Sequence, residues 1–273
     1  MSPCEKPWFM RPALPGGVTS FLGAVALGVL LAPCAQAQDA AKILKAMSDY
    51  VTAEKNISLS YDADIEVVTS ELQKIQFASS GQVQLSRPDK VRITRTGGYA
   101  DVDLVFDGKT VTLLGKNLNA FAQADGPGTV DQLIDGIRDR YNIQMPGADL
   151  LLSRVYDELT SDVMDAKHIG QGVIDGVTCE HLAFRGAEVD WQLWVESGAK
   201  PIPRKYVITS KHVTGAPQYT LRVKDWKTDV AVAADAFTFK PPADAKRVEF
   251  VALQVDEVPP GQVTVGQVTG GTK

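Results

Sequence analysis

The chain has 273 residues, 44% of them hydrophobic, with a formal net charge of −5 and three cysteines. That mild acidity argues against a nucleic-acid partner, since a reader of the phosphate backbone needs a basic surface. Two of the cysteines fall within the first 34 residues, so no disulfide framework can hold the fold and a buried core must do so.

Residues 1–37 read as a removable bacterial export signal. Lys6 and Arg11 give a positive start, Val18 to Leu31 form an apolar run of 14 residues, and Ala35-Gln36-Ala37 offers a small-x-small cleavage site. Such a run is too short to cross a bilayer as a stable helix. The alternatives are an uncleaved anchor and a lipoprotein signal, because Leu31-Ala32-Pro33-Cys34 resembles a lipobox. Pro33 stands where the lipoprotein peptidase wants a small, flexible residue. Cleavage after Ala37 leaves 236 residues with a net charge of −6 and Cys179 as the sole thiol. That length suits one well-buried domain working in the periplasm.

From Asp39 to about Lys55 the pattern is helical. Ile43, Leu44, Met47, Tyr50 and Val51 form one apolar stripe, and Asp39 is the expected N-cap. A long strand follows, with Ile57, Leu59, Tyr61, Ala63, Ile65 and Val67 alternating with polar residues. The next carries Ile75, Phe77, Val83 and Leu85; Ser79-Ser80-Gly81 interrupts it and predicts a bulge or bend. Val91 and Ile93, then Val102, Leu104 and Phe106, continue the alternation, and Asp107-Gly108 turns the chain into Val111 and Leu113. Short turns and one apolar face per strand predict an antiparallel meander.

Thr129-Val130-Asp131-Gln132 is a capping box ahead of a helix with Leu133, Ile134 and Ile137 as its stripe. A second short helix is expected from Ala148 to Leu152. Strands resume near His168 and continue at Val177 to Phe184, Val189 to Val195, Arg204 to Thr209 and Tyr219 to Val223; Ala236 to Phe239 is a last short run. The domain is expected to cover residues 38–250, followed by a mobile tail over 251–273 with little to bury. The order strands, helices, strands predicts an α+β fold in which a strongly curved sheet wraps helices on its apolar face.

The chemistry-bearing residues are few and scattered. His168, His181 and His212 lack metal-ligand spacing, so no metal site is expected. In Cys179-Glu180-His181, a strand puts residues 179 and 181 on one face and 180 on the other; Cys179 is expected in the core with His181 partly exposed. The glycine-rich stretch Gly170 to Gly176 leads into a strand, so it reads as a hairpin turn at Asp175-Gly176 and not as a phosphate loop. Asp131, Asp135 and Asp139 at helical spacing read as a solvated face. No catalytic residues and no cofactor are expected. Trp191 belongs to the core, while Trp194, among polar neighbours, is either covered by a loop or part of a contact surface.

The run Val189-Asp190-Trp191-Gln192-Leu193-Trp194-Val195-Glu196 is followed by Gly198, Pro201-Ile202-Pro203-Arg204-Lys205 and Val207-Ile208-Thr209. It resembles a family of predicted periplasmic bacterial proteins of unknown function, placed with the lipoprotein-carrier superfamily of the LolA and LolB type. Further matching stretches are Arg87-Pro88-Asp89-Lys90, Tyr99 to Thr110, Tyr141 with Pro146 and Ala148 to Leu152, and Asp175-Gly176-Val177 with Cys179 and His181-Leu182-Ala183-Phe184. Together they span nearly the whole mature chain. The resemblance implies a curved half-barrel whose mouth is lidded by helices, with an apolar cavity that holds acyl chains in the carriers.

The expected function is therefore a non-catalytic periplasmic binding protein for a lipid or lipoprotein acyl chain, working as a monomer. The alternative is an interaction or sensor domain with a filled core and an envelope protein as its partner. The expected cavity lining is Leu59, Tyr61, Ile65, Phe77, Leu104, Phe106 and Trp191, closed over by Met47 and Leu133 of the helices.

Overall fold

The computed structural model describes residues 32–98, 100–126, 128–141, 145–228, 230–233, 235–250 and 253. Two hairpin-rich halves meet where one strand of each pairs with the other. The first half comprises β1 (Asn56–Val68), β2 (Lys74–Ser86), β3 (Lys90–Gly97), β4 (Asp101–Phe106), β5 (Thr110–Gly115) and β6 (Ala120–Asp125). The second comprises β7 (Asp165–Ile174), β8 (Val177–Arg185), β9 (Val189–Glu196), β10 (Pro203–Ser210) and β11 (Gln218–Thr228). β11 returns to pair antiparallel with β1, and β12 (Lys246–Arg247) adds to β6 in parallel. The result is one open sheet in the order β12-β6-β5-β4-β3-β2-β1-β11-β10-β9-β8-β7.

Three α-helices and a short 3-10 turn sit on the inner face of this curved sheet. α1 (Ala32–Ala53) lies over β7, β8 and β9. α2 (Val130–Tyr141), a short 3-10 turn (Ala148–Leu151) and α3 (Val155–Thr160) form the link between the two halves. One apolar cluster joins all of them to the sheet: Leu44, Met47 and Val51 from α1, Leu133 and Ile134 from α2, and Leu182, Trp191, Leu193 and Val195 from the strands. This is the α+β fold with a curved sheet expected from the pattern, and the half-barrel that the resemblance implied. Among the described residues no helix is long and apolar enough to cross a membrane.

Local chemistry explains the turns. Asp175 and Gly176 both have positive φ, 48° and 81°, between the paired Ile174 and Val177; this is the tight two-residue hairpin that suits right-twisted strands. At the β4–β5 turn, Asp107 Oδ1 accepts from the backbone N–H of Lys109 and of Thr110 (2.9 and 2.7 Å). Thr129 caps α2, its Oγ1 accepting from Gln132 N at 3.2 Å.

Several expectations are corrected. α1 begins at Ala32, so Asp39 lies inside it and is not its N-cap; the alanines at 32, 35, 37, 40 and 41 propagate the helix backward. β2 has no bulge, for its register with β1 runs unbroken from Asn56↔Ser86 to Val68↔Lys74. Gly81 is small for another reason: a Cβ there would stand 2.1 Å from Thr94 O and 2.5 Å from the Tyr61 ring. The Tyr61 side chain crosses over this glycine, and its hydroxyl donates to Thr94 O at 3.0 Å. Among the described strands the irregularities lie between Ser58 and Ser60 of β1, between His168 and Gly170 of β7 and between Pro203 and Lys205 of β10.

Residues 236–239 form no strand, whereas β6, α3 and β12 arise where none was expected. Residues 1–31, which hold the charged start and apolar run, lie outside the described residues, as do 251, 252 and 254–273 of the expected tail. Leu253 is described and is 7% exposed, packed beside Ala120 and Ala122.

Candidate functional site: the apolar concave face

The register aligns the inner side chains of β1 to β6 into rows. The lowest row, Ile57, Leu85, Val91, Phe106, Val111 and Ala124, is nearly sealed, with Leu85 and Phe106 at 0% exposure. In the next row, Leu59 and Val83 are buried, Ile93, Leu104 and Leu113 are half-buried, and Ala122 is buried again. The third row holds Tyr61, Gly81, Arg95, Val102, Gly115 and Ala120, of which Gly81, Arg95 and Val102 are half-buried. Exposure thus rises from the foot of the concavity toward Arg95, whose Nε donates to Ser79 Oγ at 3.3 Å.

The stretch from β8 to β11 is closed more tightly, while β7 at the edge has no buried residue. Leu182, Leu193 and Val195 are at 0% exposure and Trp191 at 3%. Trp191 stacks on Phe184, with centroids 3.9 Å apart, and meets the Tyr206 ring edge-on at 5.8 Å. Burial pushes the Tyr206 hydroxyl well above the ordinary tyrosine range.

The nine residues expected to line a cavity all carry apolar or aromatic side chains of this inner side, but they divide into groups. Met47, Phe106, Leu133 and Trp191 are core side chains in the main cluster, at 0, 0, 4 and 3% exposure. Leu59 and Tyr61 belong to the same cluster at 8 and 9%, and Leu104 packs against it while half-buried. Ile65 and Phe77 pair with each other further along the β1–β2 hairpin, outside that cluster. Ile93, Leu113 and Val102, which complete the half-buried rows, were absent from the expected set; their period-two spacing in the sequence could have included them.

The cover is held by charge as well as by apolar contact. Asp131 does not lie on a solvated face, for it accepts from Ser153 N and Oγ (3.0 and 2.5 Å), while Asp135, its side chain 40% exposed, pairs with Arg154 at 2.8 Å. Arg138 pairs with Asp149 and, at 3.0 Å, with Glu158. Arg87 donates to the carbonyls of Leu151 and Leu152 (2.7 and 3.2 Å), tying the 3-10 turn to the β2–β3 connection. Ser48 of α1 accepts from Tyr156 N at 3.0 Å and so satisfies a first-turn amide of α3. Asp139 is exposed.

Of the remaining residues of interest, Cys179, His181 and Trp194 lie on the outer side of β8 and β9, and Glu180 on the inner side. Cys179 is fully buried beside the Arg204–Glu196 ion pair, and burial raises its thiol pKa. Trp194 is half-buried: it stacks on His181 (centroids 4.0 Å), Lys205 Nζ stands 4.8 Å from its ring centroid, and Gly172 leaves room beside its indole nitrogen. Glu180 is drawn below the ordinary carboxylate range, first by the Gln171 amide and then by Ser197 and His168. Among the described residues no three His, Cys, Asp or Glu side chains gather as metal ligands. What the concave face can offer chemically is apolar burial, with Arg95 and the Tyr61 hydroxyl in its upper row.

The site is thus the apolar inner face of an open, curved and mainly antiparallel sheet, covered by helices. The chain belongs to the family described as predicted periplasmic protein, DUF2092, whose model matches residues 40–251. No curated protein matches it. Similar solved structures include an uncharacterized conserved protein from Thermus thermophilus, 14% identical over 78% of this chain and 99% of that one, with a TM-score of 0.44. The Pseudomonas aeruginosa MucA/MucB complex gives 12% identity over 74% and 61%, with a TM-score of 0.42. A LolA superfamily protein from Nitrosomonas europaea gives 12% identity over 75% and 98%, with a TM-score of 0.34.

Proposed function

We propose that the protein is exported, trimmed after Ala37, and serves in the periplasm as a non-catalytic binding protein for an apolar chain, a lipid or the acyl chain of a lipoprotein. The carrying observation is the half-buried row Ile93, Leu104 and Leu113 in the middle of an otherwise buried apolar face. Each such side chain still presents apolar surface, and covering it gains roughly 25 cal/mol per Å2. Leu59 and Tyr61 would continue the lining across the sheet. α2 and the segment around Phe250, which packs against both apolar clusters, would close over it. N-terminal sequencing of the exported protein should find Gln38 first; acylated Cys34 or an intact Met1 would overturn the processing step.

A fluorescent fatty-acid probe tests the ligand class. Wild-type protein should take up the probe, and Leu104→Trp should reduce uptake while leaving the melting temperature nearly unchanged, because a half-buried position has room outward. Native mass spectrometry of protein purified from the periplasm should show co-purified lipid. The second reading, an envelope interaction domain with a filled core, draws on the fully sealed β8 to β11 side. It requires no probe uptake by wild type and a sharp fall in melting temperature for Leu104→Trp, since overpacking costs about 1–3 kcal/mol. That pair of results would sink the binding reading.

A further inference from the structure

The outer face of the same sheet carries a second concavity, opposite in character to the inner one. Residues 236–239 cross the outer side of β3 to β6 and are fastened at both ends. The Arg92 guanidinium pairs with Asp103 (3.0 and 2.6 Å) and donates to Ala236 O at 3.3 Å. The Phe239 ring packs on Phe121, with centroids 5.2 Å apart. Between this crossing and the β4–β5 turn lies a pocket of 260 Å3.

Thr112 and Gln123, cross-strand neighbours, are part of its floor, Lys90 and Asp107 stand on one side, and Thr238 and Phe239 on the other. Thr112 is only 2% exposed, and its Oγ1 accepts from the Gln123 amide at 3.0 Å. That bond sets the two groups side by side and leaves the threonine proton and the glutamine oxygen to serve a ligand. Asp107 is fixed by the two backbone N–H groups that its Oδ1 accepts. An acyl chain fits badly here, because it would strip water from these groups and return no hydrogen bond. A compact anion would meet Asp107, and a compact cation would meet Lys90. Hydroxyl, amide and both charge signs around a phenyl wall suit a ligand with hydroxyls on its edge and C–H groups on its face. The volume lies below the roughly 300 Å3 at which drug-sized sites begin, which limits the occupant to about one ring.

We propose that this outer pocket binds a single neutral pyranose unit. Saturation-transfer NMR on the full exported protein, with methyl glucopyranoside and N-acetylglucosamine as probes, tests the assignment. Ring protons of at least one sugar should receive saturation from wild type. Lys90→Ala and Thr238→Ala change exposed residues and should keep the wild-type melting temperature, yet together weaken binding about tenfold. Thr112→Val, of nearly the same shape, should weaken it similarly, with a melting curve to verify folding. The acyl probe is read on the same samples, so its loss speaks only of the concave face. No transfer to either sugar at millimolar concentration, displacement of the sugar by acetate or phosphate, or undiminished binding by the Lys90→Ala/Thr238→Ala variant would each overturn the proposal.

Discussion

The β8–β11 side and the β2–β6 side of the concave face use the same alternation of apolar residues, yet they are finished differently. Over β7, β8 and β9 lies one continuous helix, α1, whose Ala40, Leu44, Met47 and Val51 are all at 0% exposure. An unbroken stripe meeting an unbroken face seals it, and Leu182, Leu193 and Val195 show no exposed surface. The cover that links the two halves is assembled from α2, the 3-10 turn and α3, stitched by Arg138, Arg154 and Arg87. On the β3–β5 stretch Ile93, Leu104 and Leu113 keep part of their surface open. Binary patterning therefore makes both faces apolar, but only the continuity of the cover decides whether a face becomes filled core or a groove.

The largest test of this contrast is a pair of truncations. Trp191→Ala should cost about 3–5 kcal/mol in urea unfolding, as buried aromatic deletions do. Leu104→Ala should cost less than about 2 kcal/mol, because a half-buried leucine has less surface to lose. Equal losses would erase the distinction between the two sides. Next in size is Arg138→Ala, which leaves Asp149 and Glu158 partly buried without their shared cation. We expect a loss of about 2 kcal/mol, in the range of hydrogen bonds to charged groups, together with faster amide exchange across residues 148–160. Unchanged exchange there would mean that apolar contact alone holds the cover.

A smaller loss, about 1–3 kcal/mol, is expected for Cys179→Ser, whose hydroxyl would be buried where the thiol now makes one long contact to Val177 O (3.4 Å). Rapid labelling of wild-type Cys179 by a bulky thiol reagent in the folded state would contradict its burial. The smallest effect concerns acid. Glu180 has a folded pKa below its ordinary 4.5, so its contribution is present above that value and is lost as the pH falls through the folded pKa. The melting-temperature gap between wild type and Glu180→Gln should therefore narrow from about pH 6 to about pH 3. It should be small, because the side chain is one-fifth exposed. A gap that widens toward low pH would reverse the assigned sign.

What the sequence by itself determined is local. The alternation of Ile57 to Val67 and of Val189 to Val195 names the buried side of each strand, since successive side chains point to opposite faces. Asp175-Gly176 specifies its hairpin, and Thr129 its helix start, because both rest on groups a few residues apart. What only the tertiary structure decided depends on partners far along the chain. Asp131 is spoken for by Ser153, Arg138 by Glu158, and Gly81 is shaped by Tyr61 and Thr94. β6 was illegible because Ala120, Ala122 and Ala124 carry little apolar bulk, and two-residue β12 exists only where the β6 edge receives it. The outer pocket likewise joins Lys90 and Gln123 to Thr238, more than a hundred residues downstream. A linear pattern encodes which face is apolar; how fully that face is covered is a property of the pieces that fold back onto it.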